Sequence, residues 1–323
     1  TSMHMYLIPA KLFALVTAIL ILFASVFVTP SHANWRKDIG IFRVGIITTD
    51  KSIEALDKLA PFKLALVEAL DMDVEFFRAK NATTLINALV DERIEYAIFS
   101  SASYALAWVT CECIEPVVIP RSKDSTDGYH TVLIAGPNGP SSLSAVIGKP
   151  IGVLSSGSVI GAPLVSHALA GQNITIGDEQ TPFTSLETPN KTLGAFSSGK
   201  IDMLIGWSSM TGDSRTGYSR GNLRQLADQF KVPAQDYRIL WKSDQIPHRP
   251  HVMRKKLNGE AKRILRDTLL NMNEKDPIAY DAIEPVYGGG FVNGRHDRFK
   301  QLIEFIEALA PQTKTAEEEL PLQ

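Results

Sequence analysis

Cysteine is scarce in this sequence. Only Cys111 and Cys113 occur among 323 residues, and one residue separates them. A scaffold stapled by several disulfides is therefore excluded, and a bridge between cysteines so close together is strained and rare. We interpret both as small, buried or half-buried apolar side chains near a strand end. A metal site would need further ligands, for which Glu112 and Glu115 are weak support.

An excess of charge is also missing. The chain has 33 Lys and Arg against 35 Asp and Glu, a formal net charge of −2. Nucleic-acid-binding proteins normally carry a basic excess, so we predict no nucleic-acid partner.

Motifs for nucleophilic catalysis are missing as well. Glycine-flanked serine elbows are absent, and the histidines have no acidic partner at a recognisable spacing. We therefore predict that the protein is not an enzyme and uses no cofactor.

No charged residue occurs from position 12 to position 28, a run of 17 residues preceded by Lys11. It ends in Thr29-Pro30-Ser31-His32-Ala33, and such small residues are typical of a signal peptidase site. We predict a signal peptide over residues 1–33, cleaved after Ala33. An uncleaved membrane anchor is the alternative, because the run approaches the roughly 20 residues that span a bilayer. No cysteine follows the run, so a lipid anchor is not expected.

Strand and helix patterns alternate along the rest of the chain. Strand patterns include residues 42–48, 74–77, 96–99, 129–135, 151–154 and 203–207, and helical patterns include 162–170 and 191–198. This alternation predicts an α/β architecture with mostly parallel sheets.

Turn-rich polar stretches near residues 121–128 and 243–250 mark two crossings between lobes. We predict that residues 34–128 and 245–310 form lobe 1 and residues 129–244 form lobe 2. Residues 311–323, which contain three consecutive glutamates, are predicted to be a disordered tail.

Small and hydroxyl-bearing residues follow the strand pattern at 151–154 and precede a helical pattern. Backbone N–H groups and the dipole at a helix start attract anions, and the hydroxyls of Ser156 and Ser158 can add donors around Gly157. Serine also favours helix caps, so this stretch alone leaves an anion site and a simple cap both open. Ser100 and Ser101 follow another strand pattern, and ligands of open α/β sheets bind beyond such strand ends.

The loop around Arg249 contains two histidines flanked by prolines. Arg249 can meet a carboxylate or phosphate with two hydrogen bonds, and a solvated loop arginine is the alternative. The prolines prevent helical geometry, so we interpret His248 and His251 as loop histidines rather than metal ligands. Three aromatic residues fit either packing or ligand contact: Tyr104, Tyr129 and Trp207.

Six segments, taken together, resemble the phosphonate-binding family of periplasmic receptors that serve ABC importers. They are residues 42–45, 91–107, 128–132, 156–163, 198–202 and 241–247. The resemblance covers about residues 41–282 and implies a type II periplasmic-binding fold, in which two α/β lobes joined by two crossing strands close over a ligand. It also implies that Ser156-Gly157-Ser158 matches the turn that binds the phosphonate group, that Tyr129 lines the site, and that Ser100 and Ser101 close it.

Four positions depart from that family: Ala82, Pro189, Ser209 and Arg249. Ser209 and Arg249 stand where the family has acidic residues that hold the amino group of an aminoalkyl phosphonate. The exchange removes the counter-charge for an ammonium and adds one for an anion. We therefore expect a small anionic ligand, such as a phosphonate, a phosphate ester or another oxyanion, with Trp207 also in the site.

The resemblance thus implies a monomeric periplasmic solute-binding protein that captures a ligand between two lobes and delivers it to the membrane permease of an ABC importer. One alternative is a ligand-binding receptor that signals to a sensor kinase or a chemoreceptor. Another is an enzyme on the same fold, for which the sequence offers no acid or nucleophile.

Overall fold

The computed structural model describes residues 34–48, 53–155 and 157–318. Residues 34–40 belong to one compact unit, and the described residues from Ile41 onward belong to another. Within the described residues, no helix combines the length and apolar character needed to cross a membrane. The predicted signal peptide, residues 1–33, lies outside the described residues.

Strands account for two sheets in the larger unit. In chain order they are β1 (Phe42–Ile47), β2 (Val74–Ala79), β3 (Tyr96–Ile98), β4 (Ile114–Pro120), β5 (Gly128–Ala135), β6 (Ile151–Val153), β7 (Phe183–Thr184), β8 (Met203–Ser208), β9 (Arg238–Lys242), β10 (Ile246–Pro247), β11 (His251–Arg254) and β12 (Phe291–Asn293). The first sheet has the order β12-β4-β11-β3-β1-β2, and the second has the order β10-β5-β8-β6-β7 with β9 also paired to β5.

Helices follow most of these strands. In chain order they are α1 (Trp35–Ile39), α2 (Ile53–Asp57), α3 (Ala60–Leu70), α4 (Ala82–Val90), α5 (Ser101–Cys111), α6 (Ala162–Ala170), α7 (Pro189–Ser197), α8 (Asn222–Phe230), α9 (Gly259–Lys275), α10 (Pro277–Ile283) and α11 (Lys300–Glu318). The predicted helices at 162–170 and 191–198 are confirmed, because their apolar residues recur at helical spacing and are buried.

Parallel and antiparallel pairing are mixed in both sheets. Strand β1 runs parallel to β2 and β3, and β6 runs parallel to β7 and β8. Strands β11 and β12 are antiparallel to β4, and β5 is antiparallel to β8, β9 and β10. The prediction of mostly parallel sheets therefore holds only for the strands joined through crossover helices. Strands supplied by the returning chain add antiparallel pairs, which need no such crossover.

The chain passes between the sheets twice. Residues 121–127 lead from β4 in the first sheet to β5 in the second, and residues 248–250 lead from β10 back to β11. The first sheet consequently takes strands from both ends of the chain. This confirms the predicted fold class of two α/β parts with two crossings, and the exact lobe boundaries stay a prediction.

One local expectation differs from the structure. Cys111 and Cys113 form a disulfide with their Cα atoms 5.0 Å apart, so the interpretation as free apolar side chains is wrong. Glu112 between them has a left-handed conformation, with φ of 47°, which ends α5 and brings the two cysteines together. Helix α11 is described as far as Glu318, residues 319–323 lie outside the described residues, and the disordered tail over residues 311–323 stays a prediction.

Candidate ligand-binding site

A cavity of about 400 Å³ is lined by strands of the second sheet and by loops that adjoin the first sheet. The second sheet contributes residues of β5, β6 and β8, together with the turn that precedes α6. His248 lies in the returning crossing, and Val286 and Tyr287 lie in the loop between α10 and β12. A second depression of about 650 Å³ is lined by residues of β9 and neighbouring segments, and it contains none of the predicted site residues.

Aromatic rings form much of the cavity wall. The ring of Tyr129 meets Trp207 edge to face, with centroids 5.9 Å apart, and lies nearly parallel to the His248 ring at 6.2 Å. His248 in turn lies 4.6 Å from the ring of Tyr287. Burial raises the pKa of Tyr129 to about 12 and also raises the pKa of Tyr287. Both phenols therefore stay protonated at neutral pH and can donate hydrogen bonds.

Among the described residues that line the cavity, the charged side chain is that of Arg220. Its Nε donates to Asp124 at 2.8 Å, and one terminal nitrogen donates to the hydroxyl of Thr126 at 2.5 Å. The guanidinium carbon lies 5.8 Å from the ring centroid of Trp207. The cation is thus held in place by the first crossing while it faces the aromatic wall.

Asp124 is the anchor of this arrangement. Burial by itself raises the pKa of Asp124, but hydrogen bonds from Ser219, Thr126 and Arg220 outweigh burial and hold the pKa well below its usual range. The carboxylate accepts from the hydroxyl of Ser219 at 2.6 Å and from the hydroxyl of Thr126 at 2.6 Å. Asp124 is therefore ionised across the whole neutral range.

The predicted serine turn lies partly in the site. Ser158 lines the cavity and is half-buried, Gly157 is exposed, and Ser156 falls outside the described residues. Helix α6 begins only at Ala162, and its N-cap residue, Gly161, provides no side-chain hydrogen bond. The alternative that Ser158 caps this helix is therefore wrong. The turn is instead tied to β5, because the hydroxyl of Thr131 donates to the carbonyl of Ile160 at 2.6 Å.

Ser100 and Ser101 do not line this cavity. Ser100 is the N-cap of α5, where its hydroxyl accepts from the backbone N–H of Ser103 at 3.1 Å. Ser101 is buried and donates to the carbonyl of Pro247 at 2.5 Å. Their hydroxyls are thus used in capping and in linking α5 to β10. Their strand-end position and the family resemblance were the reasons for expecting them in the site, and neither specifies where a hydroxyl points.

Ser209 and Arg249 also lie away from the cavity wall. The buried hydroxyl of Ser209 is 2.8 Å from that of Ser219, which links it to Asp124 rather than to the cavity. Arg249 pairs with Glu284, with 3.0 Å between Nε and a carboxylate oxygen. Glu284 is almost fully buried, so Arg249 serves as its counter-charge. Arg249 was the predicted cation of the cavity, but the arginine that lines the cavity is Arg220.

The interpretation as a loop residue agrees with the place of His248 in the returning crossing and is wrong for His251. His248 is 3 % exposed, lines the cavity, and donates from Nδ1 to the carbonyl of Pro120 at 3.0 Å. His251 lies in β11, fully buried, where Nε2 donates to Glu284 at 2.6 Å and Nδ1 accepts from the hydroxyl of Tyr96. Burial lowers the pKa of both, so both are neutral at neutral pH. Tyr104 is a fully buried packing residue, and its hydroxyl forms a hydrogen bond with Nδ1 of His296 at 2.8 Å.

Sequence reasoning missed Arg220 and Tyr287. Arg220 lies twelve positions beyond the end of β8 and returns to it because Ser208 and Gly221 form an isolated bridge. Gly221 has φ of 127°, and a Cβ there would lie 2.5 Å from the carbonyl oxygen of Trp207, so the close return needs glycine. Tyr287 precedes three glycines, a pattern that indicates a loop next to a backbone or a ligand, and this was the one available signal.

The arrangement is suited to binding rather than to chemistry. It combines a guanidinium, hydroxyl donors and aromatic faces, which recognise an anion with an attached body. Within the described residues, no group of three or more His, Cys, Asp or Glu side chains is placed to hold a metal ion.

Comparison with known proteins agrees with the interpretation of this cavity as a binding site. Residues 44–299 match a family described as ABC transporter, phosphonate, periplasmic substrate-binding protein. The fold is similar to that of XAC2383 from Xanthomonas citri bound to ATP, at 16% identity over 84% of this chain and 98% of that chain, with a TM-score of 0.59. It is also similar to PhnD1 from Prochlorococcus marinus in complex with methylphosphonate, at 15% identity over 84% of this chain and 99% of that chain, with a TM-score of 0.52.

The family match covers both sheets and both crossings, and its description is that of a transport component rather than an enzyme. The structural similarities extend over nearly the full length of the compared chains. The fold is accordingly the type II periplasmic-binding fold. The chain belongs to the phosphonate-binding family of periplasmic substrate-binding proteins of ABC transporters.

Proposed function

We propose that this protein captures a small oxyanion in the cavity of about 400 Å³ and delivers it to the permease of an ABC importer. The observation that carries the proposal is Arg220, a guanidinium that faces the cavity while two residues of the first crossing hold it. A preorganised cation of this kind binds a phosphonate, phosphate ester or sulfonate without the cost of ordering a long side chain.

The residues that meet the ligand follow from the cavity wall. Arg220 supplies charge-assisted hydrogen bonds to the oxyanion, and the hydroxyls of Ser158 and Tyr129 supply further donors. Ser156, next to Gly157 in the same turn, remains a predicted contact. Ser100, Ser101, Ser209 and Arg249 have other partners, and we assign them supporting roles.

Two relatives of the same fold support an oxyanion ligand. XAC2383 binds ATP and PhnD1 binds methylphosphonate, so both hold phosphorus oxyanions. In this chain, residues 34–128 with 245–310 and residues 129–244 act as the two lobes that close on the ligand, in the hinge motion of periplasmic receptors. We expect a periplasmic monomer with no nucleic-acid partner.

Isothermal titration calorimetry with phosphate, phosphonates and sulfonates tests the binding step. Arg220→Gln should weaken binding of any oxyanion that the wild type binds by about tenfold or more, since hydrogen bonds to charged groups contribute about 1.5–3 kcal/mol. Arg224→Gln is the matched control, because Arg224 makes a similar ion pair with Asp228, at 2.9 Å, on the exposed face of α8. Equal affinities for wild type and Arg220→Gln would contradict the proposed site.

Uptake measurements test the transport step. A strain of the native host that lacks the gene should lose uptake of the oxyanion identified by calorimetry. Re-expression of the wild type should restore uptake, and Arg220→Gln should not. Normal uptake in the deletion strain would instead favour a receptor function for the same cavity.

A further inference from the structure

The cavity is much larger than an oxyanion group. Its volume of about 400 Å³ corresponds to roughly 13 water molecules at about 30 Å³ each. A tetrahedral oxyanion has four or five heavy atoms and would leave most of that room vacant. The remaining space requires either ordered water or a ligand with a substantial body.

The wall of the remaining space is apolar. Six aliphatic residues line the cavity in addition to the aromatic ones: Val153, Leu154, Ile160, Ala162, Ile205 and Val286. Ordered water would be poorly held against such a surface, because each water needs two to four polar partners. An apolar ligand body gains about 25 cal/mol for each Å² that it removes from water. The wall therefore favours a ligand body over water.

The aromatic side chains indicate which kind of chemical group the ligand body contains. Trp207 and Tyr129 meet edge to face, and Arg220 extends beside the Trp207 ring, so a cation and aromatic faces share one side of the cavity. Aromatic rings prefer offset-stacked or edge-to-face contacts with other rings. A ring attached directly to the oxyanion would contact these faces while its charge meets Arg220.

A cationic body is not accommodated. Among the described residues that line the cavity, none is acidic, and Arg220 is the charged one. The carboxylate that pairs with Arg220, Asp124, already accepts from Arg220 and Ser219. His248 stays neutral at neutral pH because burial lowers its pKa. An ammonium would thus enter without a counter-charge, next to a guanidinium.

We propose that the ligand is an organic oxyanion whose charged group carries an aromatic ring, with the oxyanion at Arg220 and the ring against Trp207 and Tyr129. The inference rests on the proposed function, since it names the ligand class for the same cavity. It differs from a small alkyl phosphonate, for which most of the apolar wall would go unused.

Calorimetry on matched pairs of compounds tests it. Phenylphosphonate and methylphosphonate share one head group, and benzenesulfonate and methanesulfonate share another, so each pair isolates the ring. We expect each phenyl compound to bind at least tenfold more tightly than its methyl partner. A preference within only one pair identifies the head group that the protein takes and still supports the ring.

Aromatic variants locate the ring. Trp207→Leu should reduce the phenyl-to-methyl affinity ratio by about fivefold or more, and Tyr129→Leu should do the same. Trp108→Leu is the matched control. Trp108 lies in α5 and packs on His296 outside the cavity, so this change should leave the ratio unaltered. Melting temperatures verify that each variant is folded, and the ratio remains informative when absolute affinities fall.

Two results would overturn the inference in different ways. Methyl compounds that bind as tightly as phenyl compounds would refute the aromatic ligand and leave the proposed oxyanion function intact. Failure of every phosphonate, sulfonate and phosphate tested to bind would refute the proposed function as well.

Discussion

Arg220 donates from Nε to a carboxylate oxygen of Asp124 at 2.8 Å, and this pair joins the two halves of the fold. Asp124 belongs to the crossing that leaves the first sheet, whereas Arg220 follows β8 of the second sheet. Their side chains are only 16% and 30% exposed, respectively, so solvent screens the pair less than a surface ion pair. The cation proposed to bind the ligand is therefore positioned by a residue of the first crossing.

Asp124→Asn should lower the free energy of unfolding by about 1–2 kcal/mol at neutral pH. Hydrogen bonds to charged groups contribute about 1.5–3 kcal/mol, and the asparagine still accepts part of them. Asp228→Asn, which removes the exposed partner of Arg224, should cost less than about 0.5 kcal/mol. Urea denaturation of the three proteins measures the differences, and equal costs for the two variants would contradict an organising role for Asp124.

The stability difference between the wild type and Asp124→Asn should depend on pH in a defined window. The pKa of Asp124 is lower in the folded protein than in the unfolded chain, so its contribution is complete above the unfolded value of about 3.9. It should shrink as the pH falls below that value. Denaturation curves at pH 7, 5 and 3 check this, and a difference that stays the same from pH 7 to pH 3 would show that the pKa is not lowered.

His248 should make the protein less stable as the pH falls below about 6.5, the ordinary histidine value. Burial lowers the pKa of His248, so the unfolded chain binds a proton that the folded protein excludes. His248→Gln removes this group and should flatten the decline of melting temperature between pH 7.5 and 5.5. An unchanged slope would mean that His248 takes up its proton without penalty. The decline would then come mainly from His251, whose pKa is also lowered by burial.

Ligand binding should make the molecule more compact. Two short crossings, at residues 121–127 and 248–250, allow the two sheets to rotate toward each other over the cavity. Small-angle scattering should give a smaller radius of gyration with the tightest oxyanion from the calorimetric series at saturation. Arg220→Gln at the same ligand concentration should keep the larger radius, and a wild-type radius that does not change would count against closure.

The disulfide between Cys111 and Cys113 should contribute little stability. It closes a loop of three residues, for which the chain-entropy relation gives about 1.6 kcal/mol at most. Cys111→Ser with Cys113→Ser should therefore leave a folded protein with a slightly lower melting temperature and unchanged oxyanion binding. Alkylation of both cysteines in the untreated protein would show that the bond does not form.

The mature protein should begin at Asn34, as the sequence around residues 29–33 predicts. N-terminal sequencing of protein exported by the native host checks this. Recovery of the chain from the membrane fraction with residues 12–28 retained would instead establish the anchored form.

Local patterns were sufficient for much of the fold. Apolar residues at helical spacing placed α6 and α7, and the polar stretches near residues 121–128 and 243–250 placed both crossings. Such features depend on the spacing of residues within one segment, where chain geometry dictates which side chains share a face. The same segments also carried the resemblance to the family that residues 44–299 match.

Local patterns were much less informative about the site. Tyr129, Ser158 and Trp207 line the cavity, whereas Ser100, Ser101, Ser209 and Arg249 have partners elsewhere. A strand end or a loop position indicates the neighbourhood of a site, and it does not reveal which polar groups are consumed by caps and buried partners.

The sequence by itself determined the alternation of strands and helices, the two crossings and the family, because these depend on spacing along the chain. Only the tertiary structure decided which cation faces the cavity. Arg220 and Asp124 are 96 positions apart, and Tyr287 reaches the same cavity from the loop after α10. Contacts across such separations depend on how the two sheets are placed relative to the chain segments between them. Helix and strand propensities describe neighbours along the chain and do not determine that placement.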